Sequence, residues 1–224
     1  MQPPRVLILT ALESETCALA AALHLHRHPE HPQLWKNDRI IALGIGLRAA
    51  HLQRAFDLLS AHRPQVIVLA GLAGALDPTL KVGDVLIDSP LPPLNIPPGT
   101  RAGRIHTASE LLCTPEAKQQ LFRSSACAAV DMEAAAVAPI ATAAGIPFLH
   151  VRAISDAATD HVDADCLSLI DSDGHPILRR VVRLLVRRPT VIAQLLRLRR
   201  DTSLALSRLS QTMRHLAASG WLPV

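Results

Sequence analysis

Aromatic residues are nearly absent: the 224-residue chain holds three Phe, two Trp and no Tyr. That scarcity excludes a base-stacking platform for single-stranded nucleic acid and a membrane barrel girdled by aromatic rings. Cysteine is sparse too. Cys17, Cys113, Cys127 and Cys166 lie far apart with no CxxC spacing, so buried reduced thiols are expected rather than a disulfide framework or a thiolate zinc site. No stretch reaches the ~18 uninterrupted apolar residues that a membrane-spanning helix requires. The opening MQPPRVLILTALESE turns acidic too early for a secretory leader, which predicts a cytoplasmic chain.

Core-forming residues, by contrast, are plentiful. At 49% hydrophobic content the chain cannot be disordered, and its length suits one large α/β domain with an appendage. The formal net charge of +4 conceals a division. Residues 177–224 contain ten Arg and a single acid, Asp201, whereas residues 1–176 contain 13 Lys and Arg against 18 Asp and Glu. The break separates an acidic body, 1–176, from a basic helical extension, 177–224, and points to an anionic partner.

Along the body, Arg5–Thr10 and Gln65–Ala70 are apolar runs without alternation, the pattern of strands buried on both faces of a parallel sheet. Further strands are predicted at 39–43, 83–88, 103–107, 126–130 and 148–155. Helices are predicted at 13–26, 47–60, from Thr114-Pro115-Glu116 onward, where Thr caps and Pro takes the first turn, and at 132–144, ended by Gly145. Gly71-Leu72-Ala73-Gly74-Ala75 reads as a tight turn at a strand's carboxyl end, where open α/β sheets bind ligands. LPPLNIPPG, 91–99, reads as a surface loop. The sum is an α/β fold with a mixed sheet between helices.

Carboxylates stand where such a sheet would place them: Glu13 after the first strand, Glu133 in VDMEAAAVA, and Asp156 after the last strand. An acid at the mouth of an apolar strand costs burial energy unless it is paired, so the three together, beside residues 71–75, outline one cleft. Taken singly, each reads equally as a first-turn carboxylate of a helix.

RVLILTALESE, IALGIG, VIVLAGLAGALDPTLKVGDVLI, GRIHTASELLCTPEAK, VDMEAAAVA and VRAISDAA follow the order and spacing of the nucleoside phosphorylase and nucleosidase superfamily, which residues 5–160 resemble. The resemblance implies a three-layer α/β/α fold and cleavage of the bond between ribose C1′ and a base. It implies that Asp156, with Ser155 beside it, protonates the leaving base as a general acid, and that Glu13 orients and deprotonates water. Glu133 would bind ribose hydroxyls with Met132 packed on the sugar, and Ala73, Gly74, Leu111 and Leu112 would contact substrate. No cofactor or metal is implied. Phosphate is the alternative nucleophile, for which Arg48 or Arg152 offers charge, but no Gly-x-x-x-Arg follows the first strand and hydrolysis is favoured. The superfamily commonly forms dimers or hexamers, and a homo-oligomer is compatible with this sequence without being fixed by it.

The chain departs from the adenosine nucleosidases at Ser109 and Leu111, where they carry Asp and an aromatic, and at Leu72, where they carry Ser. These changes make the expected pocket more apolar. The tail is amphipathic, with Arg179, Arg180, Arg183 and Arg187 on one face of a first helix and Ile177, Val181, Leu184 and Leu185 on the other. A second helix, 191–218, sets Leu195, Leu198, Leu206, Leu209, Met213 and Leu216 opposite Arg197 and Arg208. Such helices either cover the sheet or dock on anionic lipid. The tail is similar to that of the hopanoid-associated phosphorylases, the adenosylhopane nucleosidases, which implies an adenine nucleoside carrying a triterpene, release of adenine, and a peripheral site on the inner face of the membrane. The Leu density and lack of a recognised motif argue against nucleic acid. A soluble methylthioadenosine-type nucleosidase and a catalytically silent nucleoside-binding protein are the alternatives.

Overall fold

The structure, a computed structural model, describes residues 5–89, 99–163, 168–175, 177–188, 191–220 and 222. Most of the proline-rich segment and Cys166 lie outside these residues, as do the side chains of Val181, Leu185 and Arg187.

The chain runs β1 (Val6–Thr10), α1 (Glu13–Ala22), β2 (His26–Arg27), β3 (Leu34–Lys36), β4 (Ile40–Gly44), a 3₁₀ turn (Leu47–Ala49), α2 (Gln53–Ala61) and β5 (Val66–Ala75). It continues through β6 (Val85–Asp88), β7 (Thr100–Ala102), β8 (Ile105–Thr107), α3 (Pro115–Ser125), β9 (Ala129–Asp131), α4 (Ala134–Ala144) and β10 (Phe148–Asp156). Two helices follow, α5 (Leu178–Arg187) and α6 (Val191–Ala218). The sheet order is β2-β3-β4-β1-β5-β10-β6-β7, with β9 joining β5 and β8 joining β9. The central strands β4, β1, β5 and β10 are parallel, and β6 is antiparallel to β10.

Each apolar strand feeds two cores, as its alternate side chains must. Val6, Ile8, Ile40, Ala42, Val66, Val68 and Ala70 pack with Leu19 and Ala20 of α1 and with Ala205, Leu209, Met213 and Leu216 of α6. Leu7, Leu9, Ile41, Leu43, Ile67 and Leu69 pack on the opposite face with Ala55 of α2 and Val137 and Ala141 of α4. Helices thus flank a mixed sheet on both sides, the three-layer arrangement expected. The leucine face of α6 is part of the main core, so this half of the tail covers the sheet.

Several elements differ from the sequence reading. The helix expected at 13–26 ends at Ala22, with His26 opening β2, and β3 and β7 are not among the predicted strands. Residues 71–75 form no turn: β5 continues through both glycines for ten residues, because those residues pair with β10 and β9. Residues 47–60 split into a 3₁₀ turn and a shorter helix, separated where Arg48 and Ala49 take positive φ of 52° and 56°. The Thr114 cap forms as expected, its hydroxyl accepting from the Ala117 amide at 3.2 Å.

Candidate active site

The carboxyl ends of β1, β5, β9 and β10 converge on a buried charge cluster whose centre is Arg152. Its guanidinium is fully buried. Nη2 donates to Asp131 Oδ2 at 2.6 Å and to Glu133 Oε2 at 3.0 Å, and Nε donates to His150 Nε2 at 2.9 Å. Nη1 makes no hydrogen bond among the described residues. The β5–β10 register explains how so large a group enters the sheet: Arg152 lies opposite Gly71, and a Cβ built there would stand 2.3 Å from Nη1 and 2.8 Å from Glu15 Oε1. The same register places Asp156 opposite Gly74, where a Cβ would stand 3.0 Å from Asp156 Oδ2. An irregularity between Ile154 and Asp156 shifts the pairing there and re-aims the strand end.

The first acidic position is corrected by the structure. Glu13 does not join the cluster: it is partly exposed, pairs with Arg27 at 2.5 Å and contacts the His175 ring. Its neighbour Glu15, 2% exposed, turns inward. Glu15 Oε2 accepts from the amides of Ala11 at 2.9 Å and Leu12 at 3.0 Å, and Oε1 accepts from Leu72 N at 2.8 Å. The sequence signal was present in the second Glu of LESE, which falls on the buried face of α1 beside Leu19. Leu72, in place of a serine, still serves through its backbone N–H.

Charge balance within the cluster separates the acids by role. Burial pushes the Glu15 carboxyl up, and the Glu133 charge adds to this, outweighing Arg152 and the Leu12 and Leu72 amides. At Asp131 burial is overcome by Arg152 and His150, which hold that carboxyl well below the usual range. Burial lowers His150 against the pull of Asp131, whose Oδ2 lies 3.2 Å from the His150 Nε2 that also faces Arg152. Glu15 is therefore the member of the cluster most able to take up a proton.

Of the remaining candidates, Ser155 and Asp156 line a cleft with Asp160, His161 and Arg197. Glu133 Oε1 accepts from the Arg48 amide at 3.1 Å, which accounts for the strained backbone after Gly46. Met132 is half-buried beside it. The Ser155 hydroxyl bonds Asp156 Oδ1 at 2.8 Å and the Ala73 carbonyl at 3.3 Å. Leu111 and Leu112 are half-buried, and the Cys113 carbonyl accepts from Val162 N at 2.9 Å, tying their loop to the segment after Asp156. The sequence offers Arg152 only as an anion binder and does not single out Lys118, Asp131 or Glu15, whose contacts reach residues on other elements of the fold. Among the described residues no group of three or more His, Cys, Asp or Glu side chains is arranged to hold a metal ion.

Residues 94–175 match the sequence profile of the phosphorylase superfamily. The chain is 28% identical over 153 residues to a 5′-methylthioadenosine/S-adenosylhomocysteine nucleosidase of Tolumonas auensis, a match covering 51% of this chain and 66% of that protein. It is 25% identical over 208 residues to the aminodeoxyfutalosine nucleosidase of Campylobacter jejuni, covering 72% and 89%. Among solved structures, the Helicobacter pylori 5′-methylthioadenosine/S-adenosylhomocysteine nucleosidase with butyl-thio-DADMe-Immucillin-A superposes with a TM-score of 0.68 at 17% identity, covering 98% of this chain and 100% of that one. The futalosine hydrolase of the same organism gives 0.66 at 17% identity, covering 96% and 98%. These likenesses share the fold.

Proposed function

From the match of residues 94–175 to the phosphorylase superfamily profile and the nucleosidase names of the relatives, we propose that the chain is a member of that superfamily and an adenine-nucleoside N-glycosidase that breaks the bond between ribose C1′ and the base with water as nucleophile. The observation that carries this reading is the Arg152 cluster: two carboxylates occupy Nη2, while Nη1 and Glu15 Oε1 crowd the same point above Gly71. A water held beside these two groups would be oriented by Arg152 and deprotonated by Glu15, the role we give Glu15 in place of Glu13. A base must be free of its own proton near the working pH yet bind one readily, and a buried, upward-shifted carboxyl meets that need.

As the glycosidic bond breaks the sugar becomes cationic, and the anionic cluster under it stabilises that charge. Glu133 and Met132 hold the ribose. Asp156 protonates N7 with Ser155 as its neighbour, against Ala73, Gly74, Leu111 and Leu112. The nucleosidase names of the relatives support hydrolysis.

For the 5′ substituent our reading is a triterpene, making adenosylhopane the substrate and the site peripheral to an anionic membrane. Support comes from Ser109 and Leu111 in place of a polar and aromatic pair, and from the tail. Leu178 and Leu196 are 74% and 60% exposed on helices that also expose Arg179, Arg183, Arg199 and Arg200. No helix among the described residues is long and apolar enough to cross a membrane.

The test incubates the protein with adenosylhopane and with methylthioadenosine, each with and without phosphate, and measures adenine. Phosphate-independent release, faster from adenosylhopane, is expected. A ribose 1-phosphate product would replace water with phosphate, and preference for methylthioadenosine would favour the soluble alternative.

A further inference from the structure

Lys118 of α3 is 1% exposed, and no step above uses it. Its ammonium donates to Asp156 Oδ2 at 2.5 Å, to the Ala157 carbonyl at 2.8 Å and to the Asp160 carbonyl at 3.3 Å. Three acceptors match the three hydrogens of a charged ammonium, whereas a neutral amine would turn a lone pair toward one of the oxygens. The geometry therefore pairs the candidate acid with a cation.

That pairing raises a difficulty for a lone acid. A carboxylate facing an ammonium carries no proton of its own, yet the leaving base needs one. The other groups around the pair do not supply it. The Asp160 carboxylate accepts from the Ala157 amide and from Arg197 of α6, at 2.8 and 2.5 Å. Asp201 pairs with Arg197 and Arg200. His161 and Asp163 line the same cleft and make no hydrogen bond to the Asp156 carboxylate, and Ser155 offers only a hydroxyl.

We propose that Lys118 is a positioning residue that holds, through Asp156, the proton delivered to the leaving base; this rests on the role given to Asp156 above. As C1′–N9 breaks, its electron pair stays with the base, and N7 takes a proton through Asp156 as the carboxylate receives one from Nζ of Lys118, leaving a neutral amine and an ionised Asp156. The proton that Glu15 takes from water returns to Lys118 through solvent, so the sum is nucleoside plus water giving free sugar and adenine. With the ammonium as its source, the proton for the base does not have to come from a free carboxylic acid.

The test measures adenine release from methylthioadenosine between about pH 6 and 9 for the parent, Lys118→Met and Lys118→Arg. Lys118→Met should lose kcat progressively as pH rises, by roughly tenfold or more across that range, with KM changing less than about threefold. Lys118→Arg keeps the charge but not a releasable proton, so it should fold like the parent and still show reduced kcat. A Lys118→Met profile that parallels the parent's, or parent-like kcat in Lys118→Arg, would overturn the proposal, and the Arg variant decides alone if the Met variant does not fold. Calorimetric titration with adenine reads the pair without turnover. Affinity should be flat with pH in the parent and should weaken with rising pH in Lys118→Met, and equal pH dependence in the two would overturn the pairing. The contrast in adenine binding without adenine release from any nucleoside would sink the nucleosidase reading and leave the pair standing.

Discussion

Glu13 and Glu15 are chemically identical and sit about 200° apart around the start of α1, and that rotation decides their environments. Glu15→Gln should cut adenine release by roughly 10²-fold or more, since an amide cannot accept a proton from water. Glu13→Gln, which removes only a partly exposed pairing with Arg27 and His175, should cost less than about 1 kcal/mol of stability and little activity. Loss of activity in the second variant alone would return the role of base to Glu13. Stability gives a check independent of turnover. Glu15 is shifted up from 4.5, so the folded state binds its proton more tightly than the unfolded chain does. Its contribution is complete below pH 4.5 and is lost as pH rises through the shifted value. Glu15→Gln removes this slope, and its Tm relative to the parent should be higher at pH 8 than at pH 4; a difference independent of pH would contradict the burial argument. Asp156→Asn should lower turnover by roughly 10²-fold while adenine still binds, because an amide can donate a hydrogen bond but not transfer its proton. Parent-like adenine release by that variant would remove Asp156 as the acid.

In β5 the decisive residues are those without side chains. Gly71 and Gly74 lie opposite Arg152 and Asp156, and the missing methyl groups give the guanidinium and the carboxylate their room. Gly71→Ala places a Cβ 2.3 Å from Arg152 Nη1, inside any tolerable contact, so the arginine must move. Loss of nearly all activity is expected, with destabilisation of several kcal/mol because displacing a buried cation leaves Asp131 and Glu133 unpaired. Gly145→Ala is the control: its φ is +65° and nothing lies within 4 Å of the added methyl, so it should cost only about 1–2 kcal/mol by its left-handed backbone and leave kcat unchanged. Comparable activity losses in the two variants would mean that the register argument is wrong. Glycine weakens an isolated strand, which is why 71–75 reads as a turn from local rules, while the partner that requires each glycine lies about eighty residues further along the chain.

Across the molecule, the basic tail has a buried and an exposed face. Leu209, Met213 and Leu216 are buried against the sheet, and Leu209→Ala should destabilise by about 2–5 kcal/mol in thermal or urea unfolding. The outward Arg179, Arg183 and Arg199 are exposed. If they face anionic lipid, each contributes about 1 kcal/mol, and changing all three to Gln should release the protein from acidic vesicles in co-sedimentation while leaving cleavage of methylthioadenosine unchanged. Arg197 is left intact in that variant because it is tied to Asp160 beside the base-side cleft. Equal retention on acidic and neutral vesicles by the parent would exclude a membrane role. The amino-acid sequence by itself determined the β/α alternation, the doubly buried strands, the Thr114 cap and the placing of Glu133 and Asp156 at strand mouths, because apolar runs and helix signals act over a few neighbouring residues. Only the tertiary structure decided which glutamate of LESE faces inward, that β5 runs through its glycines, and that Arg152 and Lys118 complete the two halves of the site. Those outcomes depend on strand register and on pairings between residues 19 or more positions apart, such as Arg152 with Glu133 and Lys118 with Asp156, and a buried charge takes its partner from whatever the fold brings beside it.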